Sequence, residues 1–371
     1  MRSTLRSLQI AFTYIGTIVG AGFATGQEIL QFFTQYGRWA LLTIVLSTAA
    51  FVWLGCKMML LAHRIKARSY EDFNRHLFGE GAGSLISLFT LLILIGVNSI
   101  MLAGAGAIFQ EHLGLHTQTG LILTVVGSYL LLQRGISGIM QMNSIVVPLM
   151  LTLSLVIILN TFGTPDPLRY MLLDTERSPW MAWLSPLLYT AFNLGMAQAV
   201  LVPLAAECKD ERTLKLGGLI GGLGIGFMLM AAHFAMSAQM PGILQFEIPM
   251  GSIAFSLGPV VRLIYLALIF MEIFSTFVAD IYGVSLQLQQ RLPLPARLVT
   301  PLLMLICYIF SQFGFSSLLS VFYPLFGALA LVWAFKLILT PPVPPGGEDY
   351  AGGGSSKGVV MPVPVVRERE K

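Results

Sequence analysis

Long apolar runs separated by short polar stretches recur along the whole chain. Most of them approach the roughly 20 residues that an α-helix needs to cross a bilayer. They predict ten spans, near 8–34, 39–62, 83–110, 118–133, 142–162, 183–206, 215–237, 250–288, 297–312 and 317–339. Two of these do not read as plain helices. The first holds Gly16, Gly20, Gly22 and Gly26, each costing a helix roughly 1 kcal/mol relative to alanine. Thr25, Gln27 and Glu28 follow, polar groups that hydrocarbon cannot satisfy. Non-helical backbone at membrane depth is tolerated only where protein or a water-filled cavity covers it. The eighth run would extend roughly 58 Å if helical throughout, at about 1.5 Å per residue. It is expected to tilt or project beyond the membrane, with Pro259 a kink near its start.

Composition agrees with the pattern. Of 371 residues, 56% are hydrophobic and 11% charged, with a mean hydropathy of +0.78, against about 25% charged in soluble domains. The chain is expected to be an all-α polytopic membrane protein. Cys56, Cys208 and Cys307 are far apart and form no metal or disulfide pattern. The net charge of +4 is spread over many loops and does not point to nucleic acid. Arg2, Arg6 and the small residues Ala21-Gly22-Phe23-Ala24 also fit a secretory leader. The pattern continues into Ile29-Leu30-Gln31-Phe32-Phe33, so a retained first span is expected.

Orientation follows from lysine and arginine. With the amino terminus in the cytoplasm, the inner side collects Arg2, Arg6, Arg64, Lys66, Arg68, Arg75, Arg134, Lys209, Arg212, Lys215, Arg291, Arg297 and a basic tail. Lys57 and Lys336 sit near inner helix ends, where they can snorkel. Arg38, Arg169 and Arg177 fall outside, and Arg262 lies in the outer part of span eight. An odd number of spans would scramble this bias. The expectation is a multi-pass protein of the cell membrane with both termini cytoplasmic. Residues 1–340 form the transmembrane domain, and the Pro-, Gly- and charge-rich segment 341–371 a disordered cytoplasmic tail.

Ten spans divide into two sets of five, about 8–162 and 183–339, which must insert with opposite orientation. Tyr14-Ile-Gly-Thr-Ile-Val-Gly20 can be laid on Tyr189-Thr-Ala-Phe-Asn-Leu-Gly195 at one offset, which also pairs Ala24 with Ala199. The first span of each half carries an interruption, Gly20-Ala21-Gly22 in one and Asn193-Leu194-Gly195 in the other. Paired interruptions of this kind point to a transporter site near the midplane. The expected fold is therefore a 5+5 inverted repeat with helices 1 and 6 discontinuous.

The string Gly16-Thr-Ile-Val-Gly20-Ala-Gly22-Phe-Ala-Thr-Gly26-Gln-Glu28 resembles that of the YkvI-like uncharacterised membrane proteins. More distantly, span count and break positions resemble the LeuT-fold transporters of the amino acid-polyamine-organocation superfamily. That resemblance implies an inverted-repeat fold with a midplane site.

An unwound first span frees the carbonyls of Gly16, Val19 and Gly20 and the amides of Gly22, Phe23 and Ala24. Carbonyls suit a cation, and a half-helix amino terminus suits an anionic group. The competing reading is close packing through Gly16-xxx-Gly20 and Gly22-xxx-Gly26. Glu28 marks either a pathway or the outer interface. In span eight, Glu272, Ser275, Thr276 and Asp280 share one helical stripe with Ala279. Hydroxyls with an acid suit Na+, and an acid alone carries a proton; helix-to-helix hydrogen bonding is the alternative. The LeuT-fold resemblance implies a sodium site using Gly16 and Val19 carbonyls with Ser275 and Thr276 hydroxyls. Glu272 departs from that pattern, which leaves Na+ against H+ open, and span five offers no Lys or Arg as a substitute cation.

The candidate solute site is therefore Gly20, Ala21, Gly22, Phe23, Ala24, Asn98, Asn193 and Gly195. The candidate ion-coupling set is Gly16, Val19, Glu28, Glu272, Ser275, Thr276 and Asp280. Asn98 and Ser99 either contact a ligand or bridge helices. His233 reads as a satisfied interior group, and Glu207 as part of a solvated loop or gate. Gly217, Gly218, Gly221, Gly222 and Gly226 form a packing stripe. The resulting expectation is a cation-coupled secondary transporter of an amino acid or similar solute, with no cofactor beyond Na+ as a candidate coupling ion. A nutrient receptor that kept a transporter fold is the alternative. HExxH and Walker-type motifs are absent from the sequence, and no enzyme is expected.

Overall fold

The computed structural model describes residues 2–164, 168–175, 179–246, 249–292, 295–312, 326 and 329–344. Among them there is no strand. The helices run in order as α1 (Arg2–Ile18), α2 (Ala21–Thr25), α3 (Gln27–Phe32), α4 (Arg38–Arg64), α5 (Tyr70–Phe78), α6 (Glu80–Leu113) and α7 (Thr117–Leu132). They continue as α8 (Ile136–Thr161), α9 (Pro179–Glu207), α10 (Glu211–Ser237), α11 (Pro249–Ser256), α12 (Pro259–Arg291), α13 (Ala296–Ser311) and α14 (Leu329–Leu339). Six are long and apolar enough to cross a bilayer: α4, α6, α8, α9, α10 and α12. The spans read at the first, fourth and ninth positions appear as shorter helices. Of the tenth, 317–339, only residue 326 and 329–339 are described, and the tail beyond residue 344 lies outside the described residues.

α1 runs through the middle of the bundle and packs against α8, α9, α10 and α12. Its neighbour α10 carries a glycine at nearly every contact position. Gly217, Gly221 and Gly224 seat Ile10, Tyr14 and Ile15 of α1, while Gly218, Gly222 and Gly226 seat Cys56, Val52 and Thr48 of α4. The stripe is thus a packing device. Leu123, Leu130, Ile145, Leu159, Val260 and Phe335 project outward, a belt of exposed apolar side chains suited to lipid.

Two expectations about helix continuity are corrected. The eighth run is not one overlong helix. It divides at Gly258, whose φ of +107° suits glycine, and Pro259 opens α12 at a position that needs no amide donor. Helix 6 is not discontinuous: α9 is unbroken through Asn193-Leu194-Gly195. Asn193 Nδ2 donates to the Tyr189 carbonyl at 2.9 Å, and Gln198 Nε2 to that of Gly195 at 2.8 Å. One glycine costs about 1 kcal/mol, too little to open a helix that is packed on most sides.

The loop after the second span holds the amphipathic helix α5, which the apolar pattern does not reveal. Ser69 caps it, accepting from the amides of Glu71 (3.1 Å) and Asp72 (3.4 Å). Glu71, only 1% exposed, meets Arg75 and Arg291, each at 2.7 Å. Trp333 Nε1 donates to Asn74 Oδ1 at 3.0 Å. α5 therefore ties α12 and α14 together across the end of the bundle that collects the basic residues. Arg64 and Glu211 add a bidentate pair at 2.7 and 2.9 Å.

Candidate functional site

Gly20 adopts extended backbone (φ −99°, ψ −168°), so α1 stops and its ladder fails. The Gly20 amide bonds the Ile18 carbonyl at 3.0 Å instead of reaching back to Gly16. α2 then starts at Ala21, with Ala24 N bonded to Gly20 O at 2.9 Å. A second interruption falls at Gly26 (φ +86°), where a Cβ would come 2.6 Å from Met250 Cγ of α11. The expected break in the first span is present, and it is double.

α12 lies alongside this break. Thr276 Oγ1 donates to Val19 O at 3.5 Å, a long contact, and Tyr265 OH donates to Ala24 O at 2.8 Å. Tyr265, Glu272 and Thr276 are seven and eleven positions apart, close to whole numbers of turns at about 3.6 residues each. They share one stripe, anchored at both ends to α1 and α2, and Glu272 lies on that stripe between the two anchors. Glu272 is fully buried, and neither carboxyl oxygen has a hydrogen-bond partner among the described residues. Ser275 Oγ is engaged with its own helix, donating to Glu272 O at 3.2 Å. Asp280 is 1% exposed, and its Oδ2 is likewise without a partner there.

Glu28 folds back so that its carboxyl occupies the space a side chain at Gly22 would need; it is 9% exposed, beside the break. Phe23 and Ala24 are buried, and Ala21 is placed by its backbone only. Asn98 is fully buried and turned onto its own helix, donating to Leu94 O at 2.7 Å. Gly195 faces Phe326 and Ala330 on the far side of α9. His233 Nδ1 lies 3.1 Å from Thr34 Oγ1 and 3.2 Å from Ser237 Oγ.

Sequence reasoning missed three neighbours of the break. Asn143 of α8 packs on Gly16, where a Cβ would come 2.5 Å from its Oδ1. Both side-chain polar atoms of Asn143 are buried without a partner among the described residues. An amide in mid-membrane was the available signal. Met101 of α6 covers Gly20, and Tyr265 holds α2. The arrangement is occluded: Val19 and Glu272 have no exposure and Thr276 has 5%. A cavity of about 400 Å³ between α4 and Pro341–Val343 lies away from it, lined by Trp53, Lys57 and Arg64.

Chemically, the site offers a freed carbonyl, a hydroxyl, an unpartnered amide and an unpartnered carboxyl within a buried interior. Groups of these kinds are chemically able to coordinate or hydrogen-bond a small polar or ionic species.

Solved structures share this architecture. The complex of MhsT with L-phenylalanine superposes with a TM-score of 0.65 at 17% identity, over 90% of this chain and 94% of that one. A Na+-coupled sialic acid symporter gives 0.67 at 14% identity, over 88% and 76%. MHP1, a nucleobase-cation-symport-1 family transporter with bromovinylhydantoin bound, gives 0.63 at 14%, over 89% and 77%. These likenesses establish the LeuT fold and an all-α polytopic membrane protein. No family model matches the chain. The uncharacterised protein YyaD of Bacillus subtilis (strain 168) is 25% identical over 327 residues, 88% of this chain and 94% of its own length. The uncharacterised membrane protein YkvI of the same organism is 40% identical over 331 residues, 89% of this chain and 94% of that protein. The chain therefore belongs to the YkvI family of membrane proteins.

Proposed function

We propose that the chain is a secondary active transporter of a small organic solute, an amino acid or a related amphipathic compound, coupled to Na+ or H+. The observation that carries this reading is the occluded break at Val19 and Gly20, bonded by Thr276 on the α12 stripe that also carries the buried, unpartnered Glu272. The fold adds support, because its solved neighbours include a Na+-coupled symporter and a protein holding L-phenylalanine.

In this reading the solute lies against Gly20 to Ala24, and the coupling ion against Val19 and α12. Alternating access opens the site first at the α3–α11 end and then at the end closed by α5. The basic end faces the cytoplasm and the protein resides in the cell membrane, in keeping with the lysine and arginine bias. No catalytic step, cofactor or resident metal enters the mechanism.

The test is uptake into proteoliposomes across a panel of amino acids under an imposed Na+ or pH gradient, alongside thermal stabilisation by the same compounds. Accumulation above equilibrium is the expected result. Stabilisation by a compound that is never accumulated would replace the transporter with a nutrient receptor.

A further inference from the structure

The buried acids of α12 are left unpartnered by every helix around them. α11 and α8 carry no acid or base along their length, and α6 carries none between Gly81 and Gln110. α7 offers only Tyr129, and α9 only Tyr189 and the terminal Glu207. α1 turns Tyr14 away, toward the Phe51 carbonyl of α4. From α2 and α3 the one charged group is Glu28, of the same sign, stacked over Gly22. Near Asp280, Tyr70 of α5 and Cys307 of α13 are ionisable groups close enough to feel its charge. No lysine or arginine of the described residues forms an ion pair with Glu272 or Asp280.

An ionised carboxylate in that setting costs at least about 2.5 kcal/mol, and a neutral carboxylic acid avoids most of the penalty. About two turns below Glu272 comes Asp280, and Tyr70 of α5, within reach of its charge, is the residue next to Glu71, whose carboxylate holds Arg75 and Arg291 at the basic end. Acidic and hydroxyl groups thus extend from the break to the α5 closure.

We propose that the coupling ion is a proton carried on Glu272, with Asp280 as the relay toward the basic end. The proposal rests on the transporter reading above and deepens it. The Asp280 carboxylic acid first releases its proton at the opened basic end and becomes a carboxylate; the Glu272 proton then crosses to it, so that Asp280 is the acid again and Glu272 the carboxylate. Eight residues separate the two, about 12 Å of helix at 1.5 Å per residue. Water admitted when the site opens, together with the Thr276 hydroxyl, bridges that gap. Solute carriage and proton release are linked because Glu272 lies on the α12 stripe that is anchored to α1 and α2 at the break.

The test uses the purified full chain without any solute. Infrared difference spectroscopy across a pH series reads protonated carboxyl groups directly, by their deuterium-sensitive C=O stretch. The expected result is a protonated carboxyl signal at neutral pH that is reduced in Glu272→Gln and again in Asp280→Asn, and that Na+ leaves unchanged. Radioactive Na+ binding to the same wild-type protein is expected to show no saturable site. Saturable Na+ binding, or a wild-type spectrum with every carboxyl ionised at neutral pH, would overturn the proposal even if neither variant folds. Proteoliposome flux separates the two readings. A Na+-driven flux with a silent spectrum removes the proton and keeps the transporter. A proton signal without flux of any solute removes the transporter, and with it the coupling role given to that proton.

Discussion

Tyr265 tests whether α12 holds the broken segment in place. α2 has five residues, far fewer than the roughly 12–15 that a helix needs to persist in water. Its carboxyl end is fixed by the 2.8 Å bond from Tyr265 OH to Ala24 O, with the two residues 2% and 4% exposed. Tyr265→Phe keeps the ring and deletes only the donor. The orphaned carbonyl then costs about 1–3 kcal/mol, a 5–150-fold rise in the population of the locally opened segment. Thiol labelling of a cysteine at position 23, in a background lacking Cys56, Cys208 and Cys307, measures that population. The expected result is labelling faster by at least about fivefold, with the control Tyr129→Phe at an exposed position unchanged. Equal labelling rates for wild type and Tyr265→Phe would refute the anchoring argument.

Other predictions follow from particular contacts. Gly283→Ala would place a Cβ 2.6 Å from that of Ala199 and directly against the Ala199 carbonyl. Backbone cannot yield as a side-chain tip can, so a loss of about 1–3 kcal/mol is expected in thermal unfolding. Glu71→Gln removes the charge shared by Arg75 and Arg291. With those arginines 41% and 26% exposed, the loss should fall below the roughly 3–5 kcal/mol of a fully buried pair. It should appear as increased thiol labelling of a cysteine placed on the buried face of α5. Burial holds the His76 imidazole below its usual range, so the unfolded helix takes up a proton more readily than the folded one. Its contribution to α5 is therefore present above about pH 6.5 and lost as pH falls below that value. Hydrogen exchange of α5 amides should accelerate on acidification, and the acceleration should shrink in His76→Phe.

The legible part of the fold was the part governed by apolar length and by glycine. α4, α6, α8, α9 and α10 fall within a few residues of the expected spans because a run of apolar residues has one solution in a bilayer. The break at Gly20 was legible because clustered glycines and adjoining polar residues both opposed a helix there. Helix 6 was misread because Asn193 and Gly195 resemble a break locally. Whether a helix opens depends on what surrounds it, and Asn193 spends its amide on Tyr189 one turn back. α5 was hidden because its amphipathic pattern is short and its role lies in long-range partners, Arg291 and Trp333, which no local window contains. Glu272 and Thr276 were found by stripe spacing, whereas Asn143 required knowing which helix lies against Gly16.

The glycines of α10 carry a mechanical consequence. Thr48, Val52 and Cys56 step along α4 four residues at a time, into notches left by Gly226, Gly222 and Gly218. The opposite flank of α10 receives Ile10 and Tyr14 at the same pitch. A toothed interface of this kind has few registers. Sliding either partner by less than a full turn, about 5.4 Å, drives its teeth into the crests between notches. α4, α10 and the lower part of α1 must therefore travel as one block, like gears held in mesh. In the transporter reading, a change of access is then taken up where the teeth stop, at the joint formed by Val19 and Gly20 and at the seam with α12.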